Sequence, residues 1–148
     1  MFWIGFTDEP LIKLEPHEDE GKVGLLVLGQ DRERFVVHTR IWSELEYLDH
    51  WRAALIRALD GKEAALITDM RTPTESSHLI WWPMWRVNNE VVIHNQLLSF
   101  EEHKIQETHI DVGRLHRFIG EYHSHDKEGT PLSEWTVSVS EVEVFLGV

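Results

Sequence analysis

Two long apolar runs separated by a pair of asparagines constrain this chain more than any other feature. His78–Val87 and Glu90–Leu98 flank Asn88-Asn89, and asparagine tolerates the positive φ that a two-residue hairpin turn requires. Such a turn sets Val87 opposite Glu90 and thereby fixes every other pair. One face then carries Ile80, Trp82 and Met84 beside Val91, Ile93 and Leu97. It is uniformly apolar and should point into the core. The other face carries Trp81 and Trp85 beside Val92, His94 and Gln96. Aromatic surface mixed with polar neighbours is either covered by a helix or offered to a partner. Pro83 cannot donate to a ladder, which predicts an edge strand or a bulge.

The remaining segments read as strands and helices in an order that builds no βαβ array. Phe2–Phe6 is a short strand. Val23–Gly29 and Phe35–Ile41 are two antiparallel strands separated by Gln30-Asp31-Arg32-Glu33. Before them, Glu15-Pro-His-Glu-Asp-Glu20 reads as an exposed acidic loop ending at Gly21. The clearest helix starts at Ser43, which stands three residues before Glu46 in a capping box. Trp42 can staple onto Tyr47, and Leu45, Leu48, Trp51, Leu55, Ala58 and Leu59 recur at helical spacing. Asp60-Gly61 ends this helix, and Glu63–Asp69 returns from it as a strand. Asp111 is a plausible N-cap for a second helix, with Val112, Leu115, Phe118, Ile119 and Tyr122 on one face. His123–Thr130 is a polar loop, Trp135–Val139 a strand, and Ser140 with Glu143 a second capping-box spacing before a short last helix. The expected fold class is α+β, with curved antiparallel sheets of six to eight strands and two to three helices in a single domain spanning 1–148.

Charge narrows the partner. The 148 residues carry a net charge of −12. Residues 1–20 hold six acids against one lysine and residues 101–148 ten acids against four bases, whereas residues 21–100 are almost balanced, with ten acids and nine bases. Acidity confined to both terminal segments suits the steering of a basic partner. It argues against nucleic acid, whose phosphates need clustered Lys and Arg. Cysteine is absent, which removes disulfides, thiolate nucleophiles and Cys-ligated zinc. The start has no basic n-region, and no stretch approaches the roughly 18 apolar residues of a transmembrane helix. A cytoplasmic location is expected.

Catalytic signatures are sparse. There is no G-x-S-x-G elbow, and Gly21, Gly24 and Gly29 lack the lysine-serine of a phosphate loop. His123-Ser124-His125-Asp126, helped by His116, is the best candidate for a zinc or iron site. Solvated loop histidines would give the same pattern, and no HExxH is present. A small His-site metal-binding protein or metalloenzyme therefore stands as the alternative, and the main reading involves no cofactor and no enzyme activity. Trp81 and Trp85 could stack single-stranded bases, but the chain lacks the positive groove this needs. Tryptophan as a hot spot with acids at the rim fits a basic protein better.

From the hairpin onwards the sequence resembles the immunity proteins of bacterial contact-dependent growth inhibition systems of the Enterobacter type. The residues that carry the resemblance are Trp81–Trp85, the turn, and Val91-Val-Ile-His-Asn-Gln-Leu-Leu98. They are followed in the family's order by Phe118-Ile119, His125-Asp126, Gly129, Ser133-Glu134-Trp135 and Phe145. Met1-Phe2, Glu9-Pro10 and the Trp42–Leu59 helix fit as well, with a looser match over 11–40. The resemblance implies a cytoplasmic inhibitor that binds the C-terminal toxin domain, typically a nuclease, of an effector delivered by a neighbouring cell. It also implies a fold likened to Whirly-type domains. It transfers no contact residues. Charge and pattern suggest Glu15, Glu18, Asp19, Glu20, Asp126 and Glu128 for steering, with Trp81 and Trp85 as an aromatic centre.

Overall fold

In a computed structural model of the chain the described residues are 1–10, 12–14 and 19–148. Their strands are β1 (Phe2–Phe6), β2 (Ile12–Leu14), β3 (Asp19–Leu28), β4 (Asp31–His38), β5 (Ala64–Asp69), β6 (His78–Val87), β7 (Glu90–His94), β8 (Gln96–Ser99) and β9 (Glu134–Ser138). The helices are α1 (Glu44–Leu59), α2 (Val112–Leu115) and α3 (Val139–Leu146), with a 3₁₀ turn over His116–Phe118. This is an α+β fold with two antiparallel sheets. The described residues form nine strands, in keeping with the expected six to eight or so, for β2 is only three residues long and β8 is separated from β7 by Asn95 alone.

In the first sheet β3 is central. β1 and the short β2 pair along one of its sides and β4 along the other. The β3–β4 connection is tighter than the expected four residues: Leu28 pairs with Asp31 across Gly29-Gln30, and Gly29 has a φ of 67°. Glycine adopts that conformation without a Cβ penalty. The sheet also uses glycine to make room for rings. The Phe35 ring lies on Gly24, its cross-strand partner, where a Cβ would overlap it.

The second sheet runs β5-β6-β7-β9, with β8 continuing β7 along the same side of β6. The Asn88-Asn89 turn holds the register expected, Val87 opposite Glu90 and Met84 opposite Ile93, with Asn88 at φ 57°. Pro83 corrects the edge-strand expectation. It sits in the interior strand β6, paired with Ala65 of β5, and the opposite ladder skips Trp82 and Pro83 between its β8 and β7 segments. A strand can thus keep a proline in mid-sheet where the ladder on one side is interrupted beside it.

α1 joins the two sheets. Its capping box at Ser43 and Glu46 forms as expected, and the Trp42 and Tyr47 rings lie 5.2 Å apart. The buried stripe differs from the expected one. Tyr47, Trp51, Ala54, Leu55 and Ala58 face inward, whereas Leu45 and Leu48 are 65% and 42% exposed. The cause is the two large aromatic residues. Trp51 Nε1 donates to the Ile67 carbonyl (2.8 Å), while the Tyr47 hydroxyl donates to the His38 carbonyl (3.2 Å) and accepts from the Met70 N–H (2.9 Å). One phenol thereby ties the end of β4 to the end of β5, and burial raises its pKa well above the usual tyrosine value.

Two helices near the C-terminus depart from expectation. Asp111 does cap α2, but the helix stops after Leu115, and the 3₁₀ turn ends near Gly120 at φ 71°. α3 uses the capping box Ser138–Glu141, two residues earlier than Ser140–Glu143. This earlier start points Val139, Val142 and Leu146 inward together. No helix among the described residues is long and apolar enough to cross a membrane.

Candidate partner-binding site

The segment between the 3₁₀ turn and β9, residues 119–133, lies along the second sheet and carries two of the expected acidic contacts, Asp126 and Glu128. Its shape follows from local chemistry. Asp126 Oδ1 accepts from the N–H groups of Glu128 and Thr130, both at 2.9 Å. The Gly129 N–H donates to the Asp126 carbonyl, and Asp126 N–H to the Thr130 carbonyl. Gly129 takes φ 83°. This is a three-residue hairpin loop of a type I turn followed by a left-handed glycine. The stem closes through the His125–Pro131 bridge and the Leu132 N–H to Ser124 carbonyl bond. Asp126 therefore builds the loop as well as charging it.

A polar cluster fastens this loop to the sheet. β7 and β9 place His94 directly opposite Glu134. His94 Nε2 lies 3.0 Å from Glu134 Oε1, and the Tyr122 hydroxyl donates to the same oxygen at 2.7 Å. Trp85 stacks edgewise on His94 with ring centroids 4.7 Å apart, lies 5.7 Å from Tyr122, and donates its Nε1–H to the Gly120 carbonyl at 3.0 Å. Partial burial opposes ionisation of Glu134, but the hydrogen bonds from His94 and Tyr122, with the nearby imidazoles, outweigh it. They hold its carboxyl below the usual range. The same bond favours the protonated phenol and raises the Tyr122 pKa. His94 itself is buried, and its Nδ1 has no hydrogen-bond partner among the described residues.

The expected contact residues do not all meet in one place. Glu15 and Glu18 lie outside the described residues. Asp19 and Glu20 are not loop residues but open β3, paired with Leu14 and Lys13 of β2. Asp126 and Glu128 are exposed. Trp81 and Trp85 are 2% and 8% exposed, so the mixed face of the hairpin is covered and offers no aromatic surface. The covering segment brings Gly120 and Tyr122 onto Trp85. As for the metal alternative, His125 Nδ1 is 2.8 Å from Ser124 Oγ and Asp126 is occupied by its own turn. Among the described residues no three His, Asp or Glu side chains gather as ligands.

What sequence reasoning missed is the His94–Glu134–Tyr122 cluster. The hairpin register placed His94 on the Trp85 face, but nothing local says that Glu134 pairs across from it.

A family model described as the CdiI N-terminal domain matches residues 37–145 of the 148. The chain belongs to this CdiI family. Both the hairpin and the Glu134 cluster lie inside the matched span. A CdiI relative, "Immunity protein CdiI" of Enterobacter cloacae subsp. cloacae, is 24% identical over 135 residues, covering 88% of this chain and 90% of its own length. The fold of a chain in the solved CdiA-CT/CdiI toxin and immunity complex from Enterobacter cloacae superposes with a TM-score of 0.85 at 21% identity. That superposition covers 99% of this chain and 97% of the other.

Proposed function

We propose that this CdiI-family chain is an immunity protein that binds and neutralises the C-terminal toxin domain of a cognate contact-dependent growth inhibition effector. The observation that carries this reading is the family match over residues 37–145, together with a relative of the same length range that is named an immunity protein. The finer part of the proposal is that the toxin is a nuclease whose basic cleft the chain occludes. A nuclease must attract phosphates, and an acidic protein competes for the same positive surface. The net charge of −12 supports it, as does the loop 119–133, with Glu121, Asp126 and Glu128 against Lys127. In this reading Asp126 and Glu128, with the Glu15, Glu18, Asp19 and Glu20 segment, raise the association rate instead of supplying most of the affinity. Neutralisation by binding needs no cofactor and takes place where the toxin acts, in the cytoplasm.

The test is protection. Cells expressing the cognate toxin domain should stop growing, and co-expression of the chain should restore growth and copurify the pair. Arrest that continues despite soluble, folded chain would refute the reading.

A further inference from the structure

With Trp81 and Trp85 buried, a complex of the proposed kind needs another apolar centre, and the outer face of α1 supplies one. Leu45, Leu48 and Ile56 recur there with Arg52 at helical spacing and are 65%, 42% and 42% exposed. Beside this ridge runs a groove of about 370 Å³, floored by Ala53 and Ala54 and walled by Trp42 and Val112. That volume falls in the range of sites that take large side chains or small ligands. An exposed ridge next to an apolar recess is the arrangement in which one or two inserted side chains supply most of a binding energy.

The groove is lined by one acid and one base, Asp49 and Arg57, and its two imidazoles add no charge. His50 Nε2 accepts the Ile67 N–H at 2.8 Å, and burial, reinforced by His116, lowers its pKa to about 4. His116 is also held low, by burial and by Arg57. Both imidazoles are therefore neutral near pH 7 and do not repel a cationic partner. The arginines here are engaged with backbone: Arg52 donates to the Leu146 carbonyl (3.1 Å) and Arg57 to that of Glu63 (2.6 Å). Glu44 is paired with Lys22 at 3.5 Å, which leaves the exposed carboxylates Glu46 and Asp49 as the acids that a cationic partner would meet beside the ridge.

We propose that the outer face of α1 is a docking surface for the basic toxin domain, whose apolar or aromatic side chain, flanked by Lys or Arg, enters the Trp42–Ala53–Val112 groove. The proposal rests on the toxin-binding reading above and deepens it. A second copy of the chain is disfavoured as occupant, because two molecules of net charge −12 repel.

Calorimetric titration of the cognate toxin domain into wild type, Ala53→Trp and Ile56→Glu tests it. Ala53→Trp fills the groove and Ile56→Glu charges the ridge; both positions are exposed, so the variants should keep the wild-type melting temperature. The expected result is a dissociation constant raised about 30-fold or more by each, while Glu128→Gln alters the association rate by only a few-fold. If wild type binds and both variants bind within about threefold of it, the docking face is wrong and toxin binding stands. If wild type does not bind, the underlying reading fails and takes this one with it. If free wild type sediments as a dimer that Ile56→Glu splits, the occupant is a second copy and the proposal is overturned.

Discussion

Replacing Glu134 with alanine removes the acceptor that His94 Nε2 and the Tyr122 hydroxyl share at 3.0 and 2.7 Å. The two donors lose unequally. Tyr122 can turn its hydroxyl to water, so its share is small. His94 is 1% exposed and its Nδ1 already lacks a hydrogen-bond partner among the described residues, so stranding Nε2 costs about 1–3 kcal/mol for an unsatisfied buried polar group. The summed loss is about 1–4 kcal/mol. Urea unfolding at pH 7, followed by tryptophan emission, reads this as a midpoint lowered by roughly 0.5–2 M for a typical slope. Tyr122→Phe alone should cost under about 1 kcal/mol and still less in the Glu134→Ala background, because the bond it breaks is already gone. The pH dependence has a defined sign. The carboxyl is held below its ordinary pKa, so its contribution is present above the unfolded-state value and fades as pH falls through the lowered folded-state value. The gap between wild type and Glu134→Ala therefore narrows in acid. A loss below about 0.5 kcal/mol at pH 7, or a gap that does not change with pH, would refute the reasoning.

Three further substitutions probe the frame that holds the site. Gly24→Ala puts a methyl into the Phe35 ring and should cost about 1–3 kcal/mol, partly recovered in thermal melts by Phe35→Leu. Tyr47→Phe leaves the Met70 N–H without the phenol oxygen it reaches at 2.9 Å; differential scanning should show a loss of about 1–3 kcal/mol. His50, with its pKa lowered to about 4, stabilises the fold above its unfolded value of about 6.5, and that contribution is lost as pH falls through about 4. The ceiling of that contribution is about 3 kcal/mol, and acid titration of His50→Gln should show a flatter decline than wild type between those limits.

Local signals survived the step to structure where a short segment decided its own geometry. Asn88-Asn89 set the hairpin register, and Ser43 with Glu46 set the start of α1, because turn and cap chemistry involve neighbours only. Signals failed where distant partners chose between local options. Ser138–Glu141 and Ser140–Glu143 are equally good capping boxes in sequence; burial of Val139, Val142 and Leu146 selects the first. Helical spacing in α1 allowed an inward Leu45 and Leu48, but the hydroxyl of Tyr47 has its partners on His38 and Met70, which rotates the helix. Trp81 and Trp85 looked available because the segment that covers Trp85 comes more than thirty residues later in the chain, at Gly120 and Tyr122. The acidity of the 119–133 loop was legible from composition. Its attachment through Glu134 was not, since the pairing of β7 with β9 spans forty residues.

The proposed neutralisation is read by titrating the chain into an activity assay of the cognate toxin domain, with nucleic-acid cleavage as the readout that the proposed nuclease identity calls for. Residual activity is expected to fall in proportion to added chain and to vanish near one equivalent, as for a tight occluding inhibitor. Undiminished nuclease activity at about tenfold molar excess of folded chain would contradict the proposed neutralisation.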